Sequence, residues 1–198
     1  VIQKKPLIKK LIVSNNGSVL DQETFSSTAL MYLLAKINLN LPHLETLTLE
    51  TRADYVELAE LEFIARALRE KNPPSALEIA IGFEVFDDVM RNNVFYKGLN
   101  LETFEKLVKA VAPYRYRLKC YFMQKPVPEM TDEAAVKDIQ QGIDYLSRVS
   151  AQYGVSINMH LDPTFVARGT RLEPAFKEGH YTVTRLQDVA RAAVHGRG

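Results

Sequence analysis

Cysteine occurs once in the 198 residues, as Cys120, and tryptophan does not occur at all. One thiol excludes an intrachain disulfide framework and fits a reducing, cytoplasmic compartment. An excess of one sign of charge is missing too. Lys and Arg number 25 and Asp and Glu 24, for a net charge of +1. No global field therefore marks the chain for nucleic acid or for a membrane surface. No apolar run reaches the length of a membrane span. The opening Val-Ile-Gln-Lys-Lys-Pro lacks the extended apolar stretch of a signal peptide. No Gly-x-Gly-x-x-Gly or Gly-x-x-x-x-Gly-Lys-Ser/Thr follows an apolar run, which argues against dinucleotide and P-loop folds. No Gly-x-Ser-x-Gly supports a hydrolase elbow. The four histidines, His43, His160, His180 and His195, match no common zinc spacing. Internal repeats and low-complexity tracts are also lacking.

What remains is an ordinary globular composition, 46% hydrophobic and 25% charged. The length suffices for a single domain with a full core over residues 1–198. Apolar periodicity alternates between two kinds of segment. Lys10–Ser14 is a short apolar run closed by the turn cluster Asn15-Asn16-Gly17-Ser18 and reads as a buried strand. Ser26 or Ser27 caps a helix to about Asn38, with Leu30, Leu33, Leu34 and Ile37 at helical spacing. Glu45–Glu50 reads as a strand and Val56–Lys71 as a helix, stopped by Asn72-Pro73-Pro74. Leu77–Ile81 is a strand ended by Gly82, and Asp87–Asn92 gives a short helical turn. Asn100 caps a helix over Leu101–Ala112, and Arg117–Met123 is a strand. Thr131 caps a long helix from Asp132 to Gln152, and Val155–Leu161 is the fifth strand. Leu172–Lys177 and Thr184–Val194 are short helical candidates. Strands spaced by helices of this length imply parallel βαβ units, so the class is α/β with about five parallel strands.

In such folds ligands bind at the carboxyl ends of the strands. Those ends are polar here: Asn15-Asn16-Gly17-Ser18, then Glu50-Thr51-Arg52, Gly82-Phe83-Glu84, Gln124-Lys125-Pro126, and Asn158 with His160. Glu50 and Arg52 at one loop mouth suit a zwitterion, since Arg forks onto a carboxylate and Glu accepts from an ammonium. They read equally as a structural ion pair. Glu84 suits ribose hydroxyls, or the start of a helix. Tyr114-Arg-Tyr-Arg-Leu-Lys119 mixes aromatic and basic residues as RNA-binding surfaces do. It also reads as a loop entering a strand with charges on its solvent side.

Ile81-Gly-Phe-Glu-Val-Phe-Asp-Asp-Val-Met-Arg91, followed by Tyr96-Lys-Gly-Leu99 and Thr103-Phe104, resembles the fourth-strand segment of Elp3-like radical S-adenosylmethionine (SAM) proteins. Thr48-Leu-Glu-Thr-Arg-Ala-Asp-Tyr55 resembles their third-strand segment, and Val13-Ser-Asn-Asn-Gly-Ser-Val-Leu-Asp21 the second. Leu118-Lys-Cys-Tyr-Phe-Met-Gln-Lys-Pro126 with Thr131-Asp-Glu-Ala-Ala135 resembles the fifth, and Asn158 with Arg168-Gly-Thr170 the sixth. The segments cover nearly the whole chain in the family's order. The resemblance implies an incomplete (β/α)6 TIM-like radical SAM barrel. It implies a parent protein that cleaves SAM to a 5′-deoxyadenosyl radical, with a modified nucleoside or RNA as the substrate class. It also assigns Glu50, Arg52 and Glu84 to SAM, with Asn16, Gly17 and Ser18 approaching by backbone and Lys125 and Asn158 lining the nucleoside or substrate side.

The departures are specific. The family carries Cys-x-x-x-Cys-x-x-Cys after its first strand, whose thiolates hold a [4Fe-4S] cluster. Cys120 lies inside an expected strand and reads as an inert buried thiol. Ala53 stands where the family has proline, and the first strand has no counterpart. Three expectations follow. The chain holds no cluster of its own. The strand at Lys10–Ser14 has an open edge. Glu50, Arg52 and Glu84 converge on one concavity. Two readings stay open: the cluster loop precedes Val1 in a longer enzyme, or the chain is a cluster-free barrel that binds a small molecule or a protein.

Overall fold

The computed structural model describes residues 7–15 and 17–197. Among the described residues five strands and six α-helices follow in order: β1 Lys10–Val13, α1 Ser27–Asn40, β2 Thr46–Thr51, α2 Leu58–Arg69, β3 Ala76–Glu84, α3 Leu101–Val111, β4 Arg117–Gln124, α4 Asp132–Tyr153, β5 Ile157–Pro163, α5 Leu172–Lys177 and α6 Leu186–Ala193. The strands form one parallel sheet in sequence order, β1-β2-β3-β4-β5, so β1 has β2 as its one neighbour among the described strands. That order follows from the connections. Each strand is followed by a helix long enough to return the chain to the same edge, and successive right-handed crossovers add strands on one side. Backbone contacts gather the chain into two compact units. The first takes residues up to Gly82 with Asn100–Lys119 and Val149–Ile157; the second takes Phe83–Leu99, Cys120–Arg148 and residues from Asn158.

In the first unit the register pairs Lys10 with Thr46 and Ile12 with Thr48, then Thr46 with Ala76, Thr48 with Glu78 and Glu50 with Ala80. Side chains alternate, so Leu47, Leu49, Leu77, Ile79 and Ile81 share the face that packs into the core, and all five are buried. The helices bury matching stripes: Leu30, Leu34 and Ile37 on α1, Leu61, Ile64 and Leu68 on α2, Phe104, Leu107, Val108 and Val111 on α3. Each fully buried side chain of this kind contributes roughly 1.5–3 kcal/mol. The expected caps are in place. Ser26 Oγ accepts from the Ala29 amide at 3.2 Å, Asn100 Oδ1 from the Thr103 amide at 2.7 Å, and Thr131 Oγ1 from the Ala134 amide at 3.1 Å.

In the second unit Phe83 stacks on Phe122 with centroids 4.8 Å apart. The Arg91 guanidinium, 0% exposed, lies 4.8 Å from the centroid of the Phe83 ring as a cation over its face. Arg91 Nε donates to the Leu99 carbonyl at 2.6 Å, and Nη1 donates to the carbonyls of Phe86 at 2.7 Å and Val85 at 3.2 Å. The buried Asp138 of α4 accepts from the amides of Phe86 at 2.9 Å and Asp87 at 2.8 Å. The irregular stretch after β3, including a π-helical turn over Met90–Val94, is thus held largely by side chains, with Asn92 adding bonds to the Leu99 amide and carbonyl. Gly142 lets α4 close on the sheet: a Cβ there would stand 2.8 Å from Phe122 Cε1 and 3.1 Å from Met159 Cε.

Several boundaries differ from the sequence reading by a few residues, and two of them bear on strand ends. The third strand does not stop at Gly82 but continues to Glu84, where the backbone turns into the left-handed region at φ 69°. The fifth strand begins at Ile157 rather than Val155. Val155 is tied back to the end of α4, its amide donating to the Ser150 carbonyl and its carbonyl accepting from Ser150 Oγ.

Candidate functional site

The loop after β1 is docked on the carboxyl end of β2. The Val19 amide donates to the Glu50 carbonyl at 3.0 Å, and the buried Ser18 hydroxyl meets the Thr51 hydroxyl. Thr24 Oγ1 donates to the Ser18 carbonyl at 2.9 Å, and Asn15 Oδ1 accepts from the Gly17 amide at 3.0 Å. The first unit therefore brings Gly17, Ser18 and Glu50 to one strand end; Asn16 lies outside the described residues. Arg52 stands at the same end, but the carboxylate it forks onto is Asp54, with Nε and Nη2 at 3.0 and 3.1 Å from the two oxygens. That pairing raises the Arg52 pKa above its ordinary value. Of the two readings of Glu50 and Arg52, the structural ion pair is formed by Arg52 with Asp54.

In the second unit two strands end alike. Glu84 closes β3 at φ 69°, and Lys125 follows β4 at φ 56°. Neither is glycine, and an L-residue in this region carries a backbone cost that persists only where the surroundings enforce it. The Glu84 carboxylate accepts from Lys97 Nζ at 2.8 Å and remains half-buried. Lys125 is buried. Its ammonium donates to Asp132 at 2.7 Å and Thr182 at 3.2 Å, and it lies 5.3 Å from the Tyr181 ring centroid. The Tyr181 hydroxyl donates to the Lys125 carbonyl at 2.8 Å, so the segment after α5 is latched to the end of β4. Asn158 is exposed near the start of β5. His160, on the same strand, faces Asp162 at 3.3 Å and sets its ring edge-on to Tyr121. Glu50 and Arg52 belong to the first unit and Glu84, Lys125 and Asn158 to the second.

One cluster was not read from the sequence. Glu78, 3% exposed in the middle of β3, accepts from Lys10 Nζ at 2.6 Å and Thr48 Oγ1 at 2.9 Å, with Lys119 Nζ at 3.7 Å. Burial pushes this carboxyl up, but the bonds from Lys10 and Thr48 and the nearby charge of Lys119 outweigh it and leave the pKa below its ordinary value. Burial acts first on Lys119 as well and lowers it. The signal was present as a lone carboxylate in the apolar run Leu77-Glu78-Ile79, on the strand face opposite the leucines.

The residues do not fit an iron–sulfur cluster. Cys120 is fully buried in β4, and burial pushes its thiol far up, away from the thiolate that iron requires. Among the described residues no group of three or more His, Cys, Asp or Glu is arranged to hold a metal ion. No described helix is long and apolar enough to cross a membrane.

No family model matches the chain. An uncharacterized protein of Methanocaldococcus jannaschii is 24% identical over 126 residues, covering 64% of this chain and 33% of that protein. Among solved structures, the archaeal Methanocaldococcus infernus Elp3 with an N-terminal deletion of residues 1–46 is similar with a TM-score of 0.62 at 14% identity, over 94% of this chain and 44% of that chain. The chain thus spans about a third of the length of the one relative and under half of the other. The structural likeness carries the fold, a partial TIM-like arrangement of five parallel strands.

Proposed function

We propose that the strand carboxyl ends of this chain hold SAM, and that the chain is the core of a radical SAM-type barrel in a longer parent enzyme. The observation that carries the reading is Glu84. It ends β3 in a left-handed backbone that glycine would occupy more cheaply, with its carboxylate at the strand mouth. A carboxylate there accepts from the ribose hydroxyls of SAM. Lys125, in the same unit as Glu84, bounds the nucleoside side, whereas Asn158 sits at the amino end of β5 and is not part of this strand mouth. A modified nucleoside or RNA is the substrate class in the parent.

The cluster that such an enzyme uses would need three thiolates, and the residues described here do not fit it. No step of radical formation is therefore assigned to this chain, and by itself it is inactive toward SAM. The fully buried Cys120 favours a second reading of the same site, a cluster-free module that binds its small molecule without chemistry.

Saturation-transfer NMR with SAM on the 198-residue chain tests both. Ribose and adenine protons should receive saturation, and Glu84→Gln should weaken binding by about 1–3 kcal/mol, the cost of a lost charge-assisted hydrogen bond. Lys97→Met, which frees the Glu84 carboxylate, should not weaken it. Equal SAM signals from wild type and Glu84→Gln would remove the assignment.

A further inference from the structure

At the amino ends of β3 and β4 the first unit carries an open cleft of about 310 Å³, floored by Ala65, Leu68 and Leu77. This is the opposite strand end from Glu50 and Arg52. Its wall is the pair Tyr114 and Tyr116, stacked with centroids 5.3 Å apart and planes 15° from parallel. Both hydroxyls are anchored. Tyr116 donates to the Leu61 carbonyl at 2.7 Å and Tyr114 to the Glu62 carboxylate at 2.6 Å. The rings are therefore fixed before any ligand arrives, which lowers the entropic cost of stacking against them.

The cleft is also cationic. Arg69, from the last turn of α2, lines it close enough for its charge to act on the Tyr116 hydroxyl. Arg115 lines it too and is exposed, although its backbone stands at φ 56°. An arginine in that conformation is disfavoured where glycine or asparagine would sit easily. Behind the Ser75 wall is a third cation. The buried Lys71 ammonium donates to Ser75 Oγ at 3.0 Å and to the Leu44 carbonyl, both neutral oxygens. Burial pulls its pKa down.

A flat aromatic wall, an apolar floor and two guanidinium forks match one ligand chemistry: a planar base joined to a phosphate. We propose that this cleft binds a nucleoside phosphate, the base against the Tyr114–Tyr116 wall and the phosphate between Arg69 and Arg115. The site is independent of SAM binding at the other strand end, and neither reading depends on the other. The ligand has two sources, a free mononucleotide or a residue of single-stranded RNA.

The test uses the whole chain. Adenosine monophosphate and inorganic phosphate are titrated calorimetrically, and a labelled six-nucleotide RNA is followed by anisotropy. The nucleotide should bind at least tenfold more tightly than phosphate. An RNA tighter than the mononucleotide assigns the strand as the source, and an RNA no tighter assigns the free nucleotide. Arg69→Gln combined with Arg115→Gly should weaken either ligand tenfold or more without lowering the thermal midpoint, since glycine suits φ 56°. Tyr114→Leu should weaken the nucleotide and leave phosphate unchanged. Nucleotide binding no tighter than phosphate, which needs no variant to observe, overturns the proposal; so does full binding by the folded arginine double variant.

Discussion

Replacing Arg91 by methionine, which keeps most of the volume and none of the donors, should be the most damaging single change in the second unit. The guanidinium is 0% exposed and feeds the carbonyls of Leu99, Val85 and Phe86. Each buried acceptor left unpaired costs about 1–3 kcal/mol. Removing the buried charge recovers part of that sum, since its own desolvation no longer has to be met. The net expectation is a loss of about 3–5 kcal/mol, the range for breaking a buried charged network from one side. Arg91 also pairs with Asp88, but that carboxylate is 66% exposed, so the ion pair itself is worth no more than about 1 kcal/mol. The comparison of Arg91→Met with Asp88→Asn therefore separates the two contributions. With a urea slope of about 2 kcal/mol per molar, Arg91→Met should move the unfolding midpoint down by about 2 M and Asp88→Asn by less than about 0.5 M. Circular dichroism during urea titration reads both. Equal shifts in the two variants would refute the view that carbonyl satisfaction, rather than charge pairing, holds the segment after β3.

Gly142→Ala should cost about 1–3 kcal/mol, because the new Cβ would stand 2.8 Å from the Phe122 ring; an unchanged thermal midpoint would contradict that closeness. The Glu78 carboxyl has a folded pKa below its unfolded value, so its stabilisation is full above the unfolded pKa, about 4.3, and is lost as pH falls through the folded one. The stability gap between wild type and Glu78→Gln should thus be largest near neutral pH and shrink below about pH 4, as urea midpoints at several pH values will report. Cys120 should resist thiol reagents in the native chain and react fully in denaturant; prompt native reaction would show that its burial is not maintained.

Local rules carried much of the fold. Ser26, Asn100 and Thr131 were legible as caps because a short side chain before an apolar helical pattern satisfies an amide that nothing else can reach. The strand order followed from helices of crossover length between apolar runs. What escaped depended on groups distant in sequence. Gly82 looked like a strand end, yet β3 continues two residues past it, and the break comes at Glu84, a residue whose type does not announce a left-handed backbone. Arg91 lay in an expected short helical turn with nothing to mark it as buried; its burial is set by Phe83, Val85 and Leu99, which meet it only in the fold. At the candidate site, proximity at a loop mouth suggested Glu50 as the partner of Arg52. Spacing could not decide between two carboxylates on either side of the arginine, and the turn at Ala53–Tyr55 brought Asp54 into the fork. Glu78 was missed because a single carboxylate inside an apolar strand acquires meaning only once Lys10, 68 positions away, is beside it.

The two left-handed strand ends also bear on how this chain changes over generations. A position kept only for its backbone drifts among glycine, asparagine and aspartate, since these tolerate the conformation with least loss. One kept for its head group holds its charge against that drift. Lys125 should then change only together with Asp132, to which it is bonded at 2.7 Å, as partners in a latch. Glu84, if its carboxylate holds a ligand as proposed above, should persist even in descendants that have lost Lys97. The evolutionary record of these two sites would tell a hinge pin from a hand.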